Sequence, residues 1–125
     1  MQDTQAFFPL YSPNAGNTAG SLLASVTITG TNASATSAAL SGSGSGWSSG
    51  FQQIQIANKT SAWAHVNFGQ NTTVIVAATV ASSYPVAPGA VVVVTVAGEV
   101  GAASVILDAA PGTATAVIFT RGMGL

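Results

Sequence analysis

Charge is what this sequence has least of. Only Asp3, Lys59, Glu99, Asp108 and Arg121 carry a formal charge, 4% of 125 residues, where an ordinary soluble domain carries about 25%. The formal net charge is −1, and the clustered Lys and Arg that a nucleic-acid surface requires are missing. Cysteine is absent altogether, which excludes disulfides, thiolate catalysis and Cys-ligated metals. One histidine and three scattered acids cannot close a metal coordination shell. Long apolar runs are missing too. The most apolar stretch, Ala90-Val-Val-Val-Val-Thr-Val-Ala97, falls far short of the ~20 residues that a bilayer-spanning helix needs. The first residues, Met1-Gln-Asp-Thr-Gln-Ala-Phe-Phe8, show neither a positive n-region nor a continuous apolar h-region. These absences lead us to expect cytosolic synthesis, no cofactor, no membrane and no nucleic acid as partner.

The scarcity of charge has a consequence of its own. A monomer of 12.2 kDa exposes on the order of 6,000 Å² by size scaling. So few charges leave such a surface poorly protected against association. The chain is expected to live in an assembly, much of its outside covered by copies or partners. Its length fits one domain with a core that needs no covalent staples.

What is present is a period of two. Val26-Thr-Ile-Thr29 alternates up to Gly30, and Phe51-Gln-Gln-Ile-Gln-Ile-Ala57 sets Ile54 and Ile56 against Gln53 and Gln55. Trp63-Ala-His-Val-Asn-Phe68 alternates again, followed by Thr73–Ala77, Val91–Val96, Ser104–Asp108 and Ala116–Thr120. Turn signals separate these runs: Asn58-Lys59, Gly69-Gln70-Asn71, Pro88-Gly89, Gly98 and Pro111-Gly112. Short β-branched runs at regular spacing predict an all-β sandwich or barrel. The valine run is apolar on both faces, which predicts a strand buried on both sides.

Three segments break the pattern. Residues 1–20 read as an extended N-terminal arm ahead of a single domain over 21–125, with Phe7, Phe8, Leu10 and Tyr11 bracketed by Pro9 and Pro13. The cluster is either a first strand with its loop or an arm docked on a neighbouring subunit, since left exposed it would be a liability. Ser41-Gly-Ser-Gly-Ser-Gly46 has the composition of a long flexible loop. Residues 30–40, rich in Ser, Thr and Ala, allow one weak strand.

No motif makes a convincing enzyme. Gly46-Trp-Ser-Ser-Gly50 matches the nucleophile elbow G-x-S-x-G, but that device needs a strand–turn–helix setting, then an acid, then a histidine. Here a Gly/Ser loop precedes it, a strand follows, and no acid separates Ser48 from His65, the only histidine. Glu99 and Asp108 flank one apparent turn, yet a lone acidic pair is weak evidence for acid–base chemistry. Asn32-Ala-Ser34, Asn58-Lys-Thr60 and Asn71-Thr-Thr73 fit the N-glycosylation triplet, though that modification needs a secretory context. Trp63, His65 and Asn67 share one strand face, predicted to point outward or toward a partner. Beside the Gln53/Gln55 face this stripe could stack and hydrogen-bond a sugar; the competing reading is a polar sheet face or a subunit contact.

From Gln53 onward the runs Gln53-Ile-Gln-Ile-Ala-Asn58, Trp63-Ala-His-Val-Asn-Phe-Gly69, Tyr84-Pro-Val-Ala-Pro-Gly89, the valine strand, Ala103-Ser-Val-Ile-Leu-Asp108 and Gly112-Thr-Ala-Thr-Ala-Val-Ile-Phe-Thr-Arg-Gly-Met-Gly124 form a series. In that series the chain resembles small β-sandwich virion proteins of tailed bacteriophages. Residues 1–50 do not share the likeness. The resemblance implies an antiparallel, jelly-roll-like sandwich of about eight strands, used as a capsid decoration (cement) protein. Such a protein binds the major capsid protein as a dimer or trimer and ties the shell together against internal DNA pressure. It would be assembled in the host cytoplasm and reside in the virion. The expected interface residues are Phe7, Phe8, Leu10, Tyr11, Trp63, His65 and Asn67. The alternative is a carbohydrate-binding module of a phage head-fibre or tail component.

Overall fold

A computed structural model describes residues 8–9, 11–13, 21–23, 25–40, 51–69, 77–97 and 100–123. Among them are eleven strands and no helix. Three short strands come first: β1 (Phe8–Pro9), β2 (Tyr11–Pro13) and β3 (Ser21–Leu23). Eight more follow: β4 (Ser25–Thr29), β5 (Thr36–Ala39), β6 (Phe51–Asn58), β7 (Ala64–Gly69), β8 (Tyr84–Val86), β9 (Val91–Ala97), β10 (Ala102–Leu107) and β11 (Ala116–Met123).

The eight make two antiparallel sheets. The first runs β9-β6-β11 with β4 on the far side of β11, and the second runs β5-β10-β7-β8. The pairing is nested: β4 with β11, β5 with β10, β6 with β9, and β7 with β8. First meets last, second meets second-last, and so on inward, which is one long antiparallel hairpin rolled up. The β6–β11 and β7–β10 ladders close the roll. This connectivity is a jelly roll, the all-β sandwich expected from the residue pattern and the resemblance.

The period of two decides what fills it. Ile28 from β4, Ile54 and Ile56 from β6, and Val117 and Phe119 from β11 line the inner side of the first sheet, all buried. Ala64 and Val66 from β7, Val86 from β8, and Ala103, Val105 and Leu107 from β10 line the second. Phe68 meets Phe119 edge-on across the core, ring centroids 6.3 Å apart and planes at 89°, a favoured aromatic geometry. Where β4 ends, a Cβ on Gly30 would stand 3.0 Å from Leu107, so the backbone approach there needs glycine.

The turn signal at Pro88-Gly89 works as its chemistry dictates. The Ala90 N–H donates to the Ala87 carbonyl at 3.1 Å, and Gly89 sits at φ 74°. Proline at the second position and a left-handed glycine at the third define a type II turn. It launches β9.

Two expectations change. The valine run is not buried on both sides: β9 is an edge strand of the first sheet, and Val91 is 58% exposed. A continuous apolar run reports apolar faces but not whether a layer covers each: Val92, Val94 and Val96 pack on the core, while Val91 and Thr95 on the outer face are exposed. Residues 30–40 do supply a strand, β5, at an edge of the second sheet. Of the expected strand Thr73–Ala77 only Ala77 is described, and it lies in no strand; the Ser41–Gly46 loop and the Gly46–Gly50 motif lie outside the described residues, as does Glu99. Asp108 stands at the end of β10 remote from Val100, so the turn expected between the two acids is a full strand instead.

Within the segment read as an arm, β1 pairs with the last residues of β11, Phe8 opposite Met123 and Pro9 opposite Gly122. Since β6 occupies the other side of β11, β1 continues the line of β4. Strands β2 and β3 pair with one another. Phe7 and Leu10 lie outside the described residues.

Candidate functional site

Trp63, His65 and Asn67 were expected to form an outward stripe, and the structure divides them. Trp63 precedes β7 and is 45% exposed. Its N–H donates to Asp108 Oδ1 at 3.2 Å, while its carbonyl accepts the Asp108 N–H at 3.1 Å. This reciprocal clamp gives Asp108 a structural task at the end of the β7–β10 ladder. His65 is only 9% exposed, packed between Pro85 of β8 and Ile106 of β10 on the adjoining strands. Its Nδ1 is buried without a hydrogen-bond partner. Asn67 is half-buried.

The reason is a cover over the outer side of the second sheet. Ala78, in the segment leading to β8, donates its N–H to Ser104 Oγ at 2.9 Å. Ser104 and Ala102, both on the outward side of β10, are completely buried. Hydroxyls hold the segment in shape: the Thr79 N–H donates to Ser83 Oγ at 2.9 Å, and Thr79 Oγ1 meets Ser82 Oγ at 2.6 Å. A face that alternation assigns to solvent is thus covered by the chain's own loop. Alternation along a strand cannot foresee a loop that folds back.

Gln53 and Gln55 do not stand beside the Trp63 stripe. They project from β6 on the outer side of the first sheet, whereas the stripe lies on the outer side of the second, across the sandwich. The combined sugar face expected from the residues is therefore not formed. Gln53 is 9% exposed and its Oε1 is buried without a partner.

Two buried polar side chains escaped the residue-level reading. Asn58, next in the inward series Ile54, Ile56, Asn58, is 1% exposed. Its Nδ2 donates to the carbonyls of Ala62 (2.9 Å), Val86 (3.0 Å) and Ala87 (3.2 Å). Its Oδ1 accepts the Thr60 N–H (3.0 Å) and the Thr60 hydroxyl (2.8 Å). One carboxamide thereby organises the β6–β7 turn and latches it to the end of β8 in the opposite sheet. The Asn58-Lys59-Thr60 triplet is closed to glycosylation for the same reason, while Asn32 is exposed.

Arg121 follows Val117 and Phe119 on the inward side of β11 and is 2% exposed. Its Nη2 donates to the Val100 carbonyl at 2.8 Å, and burial lowers the guanidinium pKa from its ordinary value. In both cases the signal was available: parity with preceding core residues places Asn58 and Arg121 on the inside.

The outer side of the first sheet stays open in part. Val91, Val93 and Thr95 of β9, Gln55 and Ala57 of β6, Ile118 of β11, and Thr27 of β4 lie in register across it. No charged residue is among the described outward positions of either sheet: Lys59 lies in a turn and Asp108 at a strand end, both exposed, and Arg121 points inward. Among the described residues no group of three or more His, Asp or Glu is placed to hold a metal, and no helix is long and apolar enough to cross a membrane.

Compared with family models, curated proteins and solved structures, the chain gives no match.

Proposed function

We propose that this chain is a non-enzymatic structural protein of a phage virion, a capsid decoration protein that binds the shell of the major capsid protein and stabilises it. The observation that carries this reading is a jelly-roll sandwich whose described outward strand positions bear no charge. Uncharged sheet sides cost little to desolvate against a neighbour, whereas an isolated soluble domain relies on interspersed charge to stay apart from its copies. The likeness of residues 53–124 to small phage virion proteins supplies the virion setting. The shared sugar face is not formed, since Gln53 and Gln55 lie across the sandwich from Trp63; Ser48 lies outside the described residues.

The test is reconstitution. Purified protein mixed with decoration-free capsids should bind at a fixed number of copies per capsomer and raise the temperature at which the shells open. Protein that stays in the supernatant at saturating concentration would overturn the proposal.

A further inference from the structure

The free edges of a sandwich invite pairing with other chains, and native proteins blunt them with short strands, prolines, lysines or bulges. Among the described strands, three of the sandwich's four edges are short or interrupted. β8 has three residues and contains Pro85; β5 has four residues; beyond β11 the line is broken between β4 and the two-residue β1 with Pro9. The fourth, β9, has seven residues, Val-Val-Val-Val-Thr-Val-Ala, with no proline and no charge.

Its backbone is also poised outward. The Asn58 N–H reaches the Ala90 carbonyl across the Ala57/Val91 pair, which makes that pair a non-bonded rung of the ladder. Rungs alternate in an antiparallel ladder, so Gln55/Val93 is non-bonded as well. The N–H and C=O groups of Val91 and Val93 therefore point away from β6, where no described strand lies. The core is open along the same edge. Val92, Val94 and Val96 pack on the core but are only half-buried, while Ile54 and Ile56 beside them on β6 are fully covered.

We infer that β9 is a dimerisation edge that pairs with β9 of a second copy across a two-fold axis, joining the two first sheets into one continuous sheet. A strand related to itself by a two-fold is antiparallel by necessity, and it meets its own side chains. A charge at the axis would face its own copy, so a charge-free strand suits self-pairing in any register. A neighbouring strand also covers the half-buried valines. A ring built head to tail would instead have to join β9 to one of the short or interrupted edges, which is why a second β9 is the fitting occupant.

This inference rests on the homo-oligomer part of the proposed function and selects the dimer. The chain has no cysteine, so a single introduced thiol reports on a single position. Sedimentation of the wild-type protein should show a concentration-dependent dimer. Val93→Lys, an outward position, should weaken it roughly tenfold or more while leaving the circular dichroism melt in place. Val93→Cys should be joined to its copy by a short bismaleimide, and Thr27→Cys, on the opposite edge of the same sheet, should not. Should Val93→Lys fail to fold, the two thiol variants decide. A wild-type monomer at every soluble concentration, a trimer, or equal cross-linking at Thr27 overturns the inference. A monomer that still coats capsids would sink the dimer and keep the decoration reading; a dimer that ignores capsids would do the reverse.

Discussion

Two ends of the same core are closed by polar side chains, and they are closed in different ways. At one end Asn58 continues the inward side of β6; at the other Arg121 continues the inward side of β11, opposite Ile54. Asn58 is neutral, and both ends of its carboxamide are engaged by backbone and by Thr60. Arg121 brings a full charge out of water, with the Val100 carbonyl among its contacts. A neutral group with every lone pair and proton satisfied is a net gain to folding, whereas a buried charge first has to recover its desolvation. The Asn58 end is therefore expected to hold the sandwich and the Arg121 end to be the more replaceable.

Substitution tests this directly, and the largest effect belongs to Asn58. Asn58→Leu removes five hydrogen bonds and takes this partner from the Val86 carbonyl and the Thr60 N–H, while the Ala62 and Ala87 carbonyls keep the Thr60 hydroxyl and the Ala90 N–H; it should cost about 4 kcal/mol in urea unfolding, and a loss under ~1 kcal/mol would mean that the latch holds nothing. Asn58→Asp adds a pH signature. Burial among carbonyl oxygens raises the pKa of the introduced carboxyl above its unfolded value. The variant should then be most stable below the unfolded pKa and weaken as pH rises through the folded one. A flat profile between acid and neutral pH would contradict the placement.

Arg121→Met keeps most of the volume and removes the charge, and should cost about 2 kcal/mol, less than Asn58→Leu. A larger loss at Arg121 than at Asn58 reverses the comparison. Burial lowers the Arg121 pKa, yet a guanidinium stays charged throughout ordinary pH, so wild-type stability should gain no slope from it there. Ser104→Ala removes one hydrogen bond, to the Ala78 N–H, and should cost about 1 kcal/mol. Amide exchange would show it as faster exchange at Ala78 with the core unchanged. Smallest is Val91→Thr, 58% exposed, expected within about 0.5 kcal/mol of wild type by thermal melting.

Much of the sandwich was legible in the residues because strand parity is a local property. Ile54 with Ile56, Ala64 with Val66, and Val117 with Phe119 each announce an inward side within a few positions. Parity carried further would also have found Asn58 and Arg121, whose polarity disguised them. His65 and Ser104 were not legible, because what buries them is a neighbouring strand or a returning loop. Nor was the edge position of β9. A valine run reads alike whether it has one neighbour or two, and sheet order is set by pairings between distant residues.

The nesting of the strands also prescribes an order of assembly. The innermost pair, β7 with β8, is the closest in sequence; once it forms, the ends that must meet next are already near. Each later pair then closes only a short additional loop, so the entropy of joining Ser25 to Thr120, 95 positions apart, is spread over successive small steps. The chain would zip from the inside of the roll outward, and the β4–β11 ladder would form last and fray first. In hydrogen exchange the amides of β4 should lose protection before those of β7. The two ends of the rolled domain, adjacent in the finished fold, are thus the latest part of it to become a structure at all.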